Sequence, residues 1–135
     1  MALRGTSVRR REDAPLLRGE GTFVADIQFH NPAYVQYLTS TIAHAKVLSI
    51  ETSVALSMPG VIDIVTNSDL DIGPYPSANP LFDEAMVRPL LADKRVRFVG
   101  EPIVAIVAES PSIAADAAEL VEIEYDSLDV VVDVE

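Results

Sequence analysis

The sequence predicts an α+β fold: short strands with two short helices, each set in a strand–helix–strand passage. Three observations predict it. Short runs rich in β-branched and aromatic residues recur along the chain. Two of the intervals between them carry helix-start residues, one of them closed by a Pro-Gly stop. Hydrophobic residues make up 49% of the 135 positions, enough apolar material for one core in a chain of this length.

Taken in order, residues 1–18 read as an irregular basic arm and residues 19–135 as one domain. "GEGTFVADIQFHNPA" (19–33) has glycines at 19 and 21 and ends in Asn31-Pro32, the pattern of a short extended piece between turns. "AYVQYLTST" (33–41) is the first good strand. "AKVLSIET" (45–52) alternates, with Lys46, Leu48 and Ile50 on one side and Val47, Ser49 and Glu51 on the other, and makes a second. Thr52 or Ser53 then caps a short helix, "SVALSM" (53–58), because a side-chain oxygen can accept from the free N–H groups of the first turn. Pro59-Gly60 stops it. "VIDIVT" (61–66) is a third strand, and Asn67 or Ser68 begins one more helical turn.

Residues 71–91 break the pattern. Prolines at 74, 76, 80 and 89 each remove a donor and restrain the residue before, so this stretch is predicted to be an irregular loop. It offers Tyr75, Leu81, Phe82 and Met86 but no His, Lys or Cys, which suits a partner surface better than a catalytic lid.

Beyond the loop, "VRFV" (96–99) reads as a short strand, Gly100 to Pro102 as a turn, and "IVAIVA" (103–108) as a central strand buried on both faces. Ser110 is an N-cap with Pro111 at the first helical position, where its missing N–H costs nothing. The helix over 111–120 places Ile113, Ala117, Leu120 and Val121 on one face, and its alanines favour close approach to a sheet. "VEIEYD" (121–126) points Val121, Ile123 and Tyr125 inward and Glu122 and Glu124 to water. "VVVDVE" (130–135) reads as a last strand.

Composition then removes several classes of chemistry. With no cysteine there are no disulfides, thiolate metal sites, cysteine nucleophiles or protein-held iron–sulfur clusters. His30 and His44, 14 positions apart, lack the spacing of a helical metal pair and read as structural. Five of the ten basic residues (Arg4, Arg9, Arg10, Arg11 and Arg18) lie in the arm, which is expected to dock on the acidic body or on a sister chain. The body holds five basic and nineteen acidic residues, a balance that repels phosphate backbones, so no nucleic-acid partner is expected. No window reaches the roughly 18 apolar residues of a membrane helix, and the start lacks a signal-like apolar run, so a cytoplasmic, non-membrane location is expected.

Candidate sites fare little better. A phosphate-binding strand–turn–helix needs glycines in its turn, and here the turn is Glu109-Ser110-Pro111, with a repelling carboxylate and a missing donor. The carboxylate pairs Asp83/Glu84 and Glu122/Glu124 lie on a loop and on the exposed side of a strand, where they are solvated. Glu101, between Gly100 and Pro102, is the least ordinary carboxylate. Its expected role is to accept local backbone N–H bonds; the competing idea is a small acid–base enzyme built on it. No residue is assigned a catalytic, cofactor-binding or metal-binding role.

Three longer phrases carry a resemblance. "LLRGEGTFVADIQ" (16–28), "STIAHAKVLSIETSVALSMPGVIDIVTNSDL" (40–70) and "VRFVGEPIVAIVAESPSIAADAAELVEIEYDSLDVVVD" (96–133) together resemble the N-terminal domain of the molybdenum-binding large subunit of the xanthine dehydrogenase, aldehyde oxidase and carbon monoxide dehydrogenase family. The resemblance implies the α/β hammerhead fold, two strand–helix–strand passages around a mixed sheet. It also implies a parent oxidoreductase that hydroxylates aldehydes, purines or other N-heterocycles, or oxidises carbon monoxide, with a molybdenum pterin (molybdopterin), iron–sulfur clusters and FAD. The glutamate base and the glutamine near the metal belong to later domains, so no catalytic residue is carried onto this sequence. This chain alone is then expected to bind no cofactor and to be inactive. Its expected partners are the cofactor-binding domains and the iron–sulfur and flavin subunits, with self-association through exposed packing faces as a further expectation. A start at Met1 just ahead of the domain resembles bacterial enzymes built from separate subunits. The alternative expectation is a stand-alone, non-catalytic interaction module.

Overall fold

The structure, a computed structural model, describes residues 5, 7, 10–75, 79, 81, 83 and 86–133. The chain divides into Met1–Asn31 and Pro32–Glu135. In the first unit, part of the arm expected to be irregular is a helix, α1 (Asp13–Leu17). Asp13 lies in its first turn, where a carboxylate complements the free N–H groups, and pairs with Arg10 at 3.6 Å. Pro15 is tolerated because first-turn N–H groups have no acceptor within the helix. A single 3-10 turn, Val24–Asp26, follows, and Phe23 N–H donates to Asp26 Oδ2 at 2.9 Å. Arg4 and Arg9 lie outside the described residues.

The second unit contains β1 (Tyr34–Thr39), β2 (Ala45–Glu51), α2 (Ser53–Leu56), β3 (Val61–Val65), β4 (Arg95–Val96), β5 (Pro102–Ala108), α3 (Pro111–Glu119) and β6 (Glu122–Ser127). The α+β class and both strand–helix–strand passages, β2–α2–β3 and β5–α3–β6, are as expected. The single mixed sheet is not. The strands form two three-stranded sheets, ordered β1-β5-β3 and β4-β2-β6, and every pairing is antiparallel. Odd-numbered strands make one sheet and even-numbered strands the other, so each connection passes from sheet to sheet. A helix that links two different sheets is free of the parallel pairing that a crossover within one sheet imposes. Side chains of both sheets meet in one core, Ala45 and Val96 from the even strands with Ile103, Val104 and Ile106 from β5.

β5 is the centre of the odd sheet, and none of its seven residues is exposed. Ser110 caps α3 as expected, its Oγ accepting Ile113 N–H at 3.2 Å, with Pro111 as the first helical residue. The buried stripe of α3 is Ala114 and Ala117, flanked by half-buried Ile113 and Ala118. Leu120, expected on that face, is exposed, because the helix ends at Glu119 and its periodicity stops with it. At α2 the capping group also differs. Thr52 makes no side-chain cap, and Ser53 N–H donates instead to Glu51 Oε1 at 2.9 Å. The Ser53 hydroxyl and backbone N–H together hold the Glu51 carboxyl below its ordinary range. The extra helical turn is a 3-10 turn over Asn67–Asp69, where the Thr66 hydroxyl and then its N–H lower the Asp69 carboxyl in the same way.

Three strand expectations need correction. The alternation of β2 breaks at Leu48, since Val47 opposes Tyr125 while Ser49 opposes Glu124. That one-residue bulge switches the inward set, leaving Val47 and Ile50 both half-buried and Leu48 exposed. Of "VRFV" only Val96 pairs, as the second residue of β4, because Arg97 N–H turns to a side chain and not to β2. Residues 130–133 of the expected last strand are not a strand, and 134–135 lie outside the described residues. Ser127 already opposes Ala45, the first residue of β2, and beyond that ladder Leu128 N–H donates to His44 O at 3.0 Å. The described residues of 71–91 hold no strand, as predicted, and Tyr75 N–H closes the loop onto Arg88 O at 3.1 Å. Phe82 lies outside the described residues.

Gly60, after α2, has φ +87° and faces Ile113, whose Cδ1 would lie 2.6 Å from an added Cβ. Gly60→Ala is therefore expected to destabilise the fold by about 2–3 kcal/mol, combining left-handed backbone strain with overpacking. Gly100, at φ +92° with open space around it, is the control, and Gly100→Ala is expected to lose only about 1 kcal/mol. Urea unfolding of both variants measures the difference. Equal losses would mean that the Ile113 contact does not matter.

Candidate functional site

Glu101 stands where β4 hands the chain to β5. Its side chain is nearly sealed from water, at 2% exposure. Val96 buries the chain on one side of the turn and Ile103 on the other, and Gly100 supplies the left-handed residue between them. Gly100 N–H donates to Ser40 O and Ser40 N–H donates to Glu101 O, both at 2.8 Å, so the turn is stitched to the end of β1. The carboxylate accepts the Arg97 backbone N–H on Oε2 and the Arg97 guanidinium on Oε1, the latter at 3.3 Å. The expected role, acceptor for a local backbone N–H, is the one the structure gives it. Both carboxylate oxygens serve the turn. The turn in its place displays Phe98 and Val99 to solvent, with the Arg88 guanidinium 5.0 Å from the Phe98 ring centroid.

The other candidates fall on separate elements. His44 Nδ1 donates to Asp129 O at 2.7 Å; the carbonyl can only accept, so this nitrogen carries the proton and the ring ties the segment after β6 back to β2. His30 belongs to the Met1–Asn31 unit and is exposed. Glu122 and Glu124 project to solvent from β6, with Ser49 Oγ donating to Glu124 at 3.4 Å. Asp83 is exposed, and Glu84 lies outside the described residues. Burial raises the Tyr125 phenol above its ordinary range, and the Ser40 hydroxyl draws it partly back. Among the described residues no group of three or more His, Cys, Asp or Glu could hold a metal ion, and the sequence has no cysteine. The described side chains therefore do not fit a molybdenum ion or an iron–sulfur cluster. No described helix is long and apolar enough to cross a membrane.

What the sequence reading missed is a surface. Val35, Tyr37, Val65, Leu70, Leu90 and Val107 line an apolar groove of about 440 Å³ on the sheet β1-β5-β3. Val35 and Tyr37 are each about half exposed, at 52% and 53%. The 71–91 loop contributes Leu90 and Leu91, but most of the lining comes from the strands. A signal was present: β1 carries Val35 and Tyr37 on the side opposite Leu38, which packs on the core, so it is apolar on both faces.

This architecture has a known counterpart. The sequence profile of the "Aldehyde oxidase and xanthine dehydrogenase, a/b hammerhead domain" matches residues 18–129. The chain belongs to this family. Among similar proteins, the nicotine 6-hydroxylase large subunit of Paenarthrobacter nicotinovorans is 42% identical over 132 residues, covering 96% of this chain and 16% of that subunit. The carbon monoxide dehydrogenase large chain of Afipia carboxidovorans is 35% identical over 135 residues, covering 96% and 16%. Of solved structures, quinoline 2-oxidoreductase from Pseudomonas putida 86 superposes with a TM-score of 0.82 at 38% identity, over 94% of this chain and 16% of that one. Reconstituted CO dehydrogenase from Oligotropha carboxidovorans gives 0.83 at 34% identity, over 96% and 16%. These relatives are oxidoreductases of the molybdenum hydroxylase family. The hammerhead domain described here spans about 16% of their length.

Proposed function

We propose that this chain is a structural domain of the large subunit of a molybdenum-dependent hydroxylase or dehydrogenase, and that its apolar groove is where the domain packs on the remainder of that subunit. The observation that carries the reading is the uncovered apolar face of β1-β5-β3. An apolar face of this kind is unfavourable in water and marks a contact surface. In a domain spanning about 16% of its relatives, the nearest source of a cover is the rest of the same polypeptide. The parent enzyme oxidises carbon monoxide, an aldehyde, a purine or another N-heterocycle in the cytoplasm. Enzymes of this family use molybdopterin, iron–sulfur clusters and FAD, and these groups are held by other domains and subunits. Relatives named for nicotine, quinoline and carbon monoxide share this domain, which supports placing substrate choice outside it.

The test compares the purified 135-residue chain with the full parent enzyme. Molybdenum is measured by mass spectrometry, and dye reduction is followed with carbon monoxide, aldehydes, purines and N-heterocycles. Molybdenum and turnover are expected from the parent enzyme only. Retention of molybdenum by the short chain through gel filtration, with turnover, would overturn the reading.

A further inference from the structure

From residue 19 onward the chain has nineteen acidic side chains and five basic ones, Lys46, Arg88, Lys94, Arg95 and Arg97. These five are not spread over the surface. Lys94, Arg95 and Arg97 lie in and beside β4, and Lys46 opposes Arg95 in the β2–β4 ladder. Arg88 lies over the ring of Phe98, which follows Arg97 in the chain. All five are exposed.

The arrangement is unfavourable for the domain by itself. Like charges directly opposite on a ladder repel. Lys46 is offset by Asp126 at 3.2 Å and Arg97 by Glu101 at 3.3 Å. Among the described residues, Arg88, Lys94 and Arg95 have no carboxylate within ion-pair distance, although the domain is rich in carboxylates. Beside them the turn locked by Glu101 holds Phe98 and Val99 in solvent. Arginine next to a rigid aromatic is the composition of an interface anchor.

We propose that this basic patch docks an acidic surface on a separate polypeptide of the parent assembly. The proposal rests on the reading that the chain is a domain of a larger enzyme, and relatives named "large subunit" and "complex subunit gamma" are parts of assemblies of that kind. An exposed, charge-rich patch suits association between separately folded partners, which it accelerates and orients. Permanent packing within one polypeptide suits the apolar groove, which lies on the other sheet. Nucleic acid and anionic lipid are disfavoured because the surrounding carboxylates repel both.

The experiment uses the full-length large subunit and its partner subunits, with the pair Lys94→Glu and Arg95→Glu. Wild-type assembly is expected to weaken as salt rises, and the variant to assemble roughly tenfold or more weakly at low salt with a shallower salt dependence. A zero-length carbodiimide cross-linker is expected to join Lys46 or Lys94 to a carboxylate of another subunit. An unchanged melting temperature of the large subunit shows that the variant folds; if it does not, Lys94→Gln with Arg95→Gln carries the same measurement. Unchanged assembly without an inter-subunit cross-link overturns the proposal. So does loss of binding to an oligonucleotide or to anionic vesicles while assembly stays intact. A parent enzyme with no molybdenum and no oxidising activity would refute the structural-domain reading instead, whatever the assembly does.

Discussion

Ile106→Ala is expected to lower the free energy of unfolding by about 3–4 kcal/mol. Ile106 is fully buried in β5, between Gln36 of β1 and Ile64 of β3, in the core that includes Ala114 and Ala117 of α3. Truncation there forfeits the transfer energy of three carbons and leaves a cavity. Neighbours such as Ala108, Ala114 and Ala117 are too small to collapse into it. Ile62→Ala is the control: Ile62 sits at the bulge of β3 with 54% of its surface exposed, and the change is expected to cost less than about 1 kcal/mol. Urea unfolding of both variants should show a lower midpoint for Ile106→Ala at unchanged slope. Similar midpoints for the two variants would place the core elsewhere.

Glu101→Ala is expected to cost about 2–4 kcal/mol. The substitution leaves the Arg97 backbone N–H without its acceptor and removes a charge-assisted bond to the guanidinium. Arg97 keeps 40% of its side chain in solvent and can rehydrate, which holds the loss below that of a sealed ion pair. Glu101→Gln retains one acceptor oxygen for the N–H and should lose about half as much. The ordering wild type, Gln, Ala in thermal unfolding is the expected result. A Gln variant as stable as wild type but inactive in the parent enzyme would return Glu101 to a chemical role and remove its structural one.

Much of the fold could be read from the chain because it is written in local chemistry. Ser110 and Pro111 start α3 through bonds within four residues, and Gly60 ends the α2 turn by adopting a conformation that other residues avoid. The unbroken apolar run of β5 demanded cover on both faces, but only one face received it in full: Val104, Ile106 and Ala108 are buried, while Ala105 and Val107 line the open groove. The solvated reading of Glu122 and Glu124 followed from the two-residue period of a strand. The errors occur where a local rule depends on a distant neighbour. Leu48 breaks the alternation of β2 because of its register with β6, some 75 residues away along the chain. "VVVDVE" has strand-forming residues but runs off the end of β2. Glu101 could be singled out by its place between glycine and proline, yet its near-complete burial depends on Ser40 and the core around Ile103.

By itself the sequence determined both strand–helix–strand passages and their order, the cap of α3, the family, and the absence of a thiolate anywhere in this chain. Only the tertiary structure decided that odd and even strands separate into two antiparallel sheets, that an apolar groove is left open on one of them, and that Lys46 comes to oppose Arg95 on the other while Arg88 reaches the ring of Phe98. Caps, turns and periodicities arise from atoms a few residues apart. Sheet partners are chosen by which apolar faces can be buried together, and that choice is made over the whole chain at once.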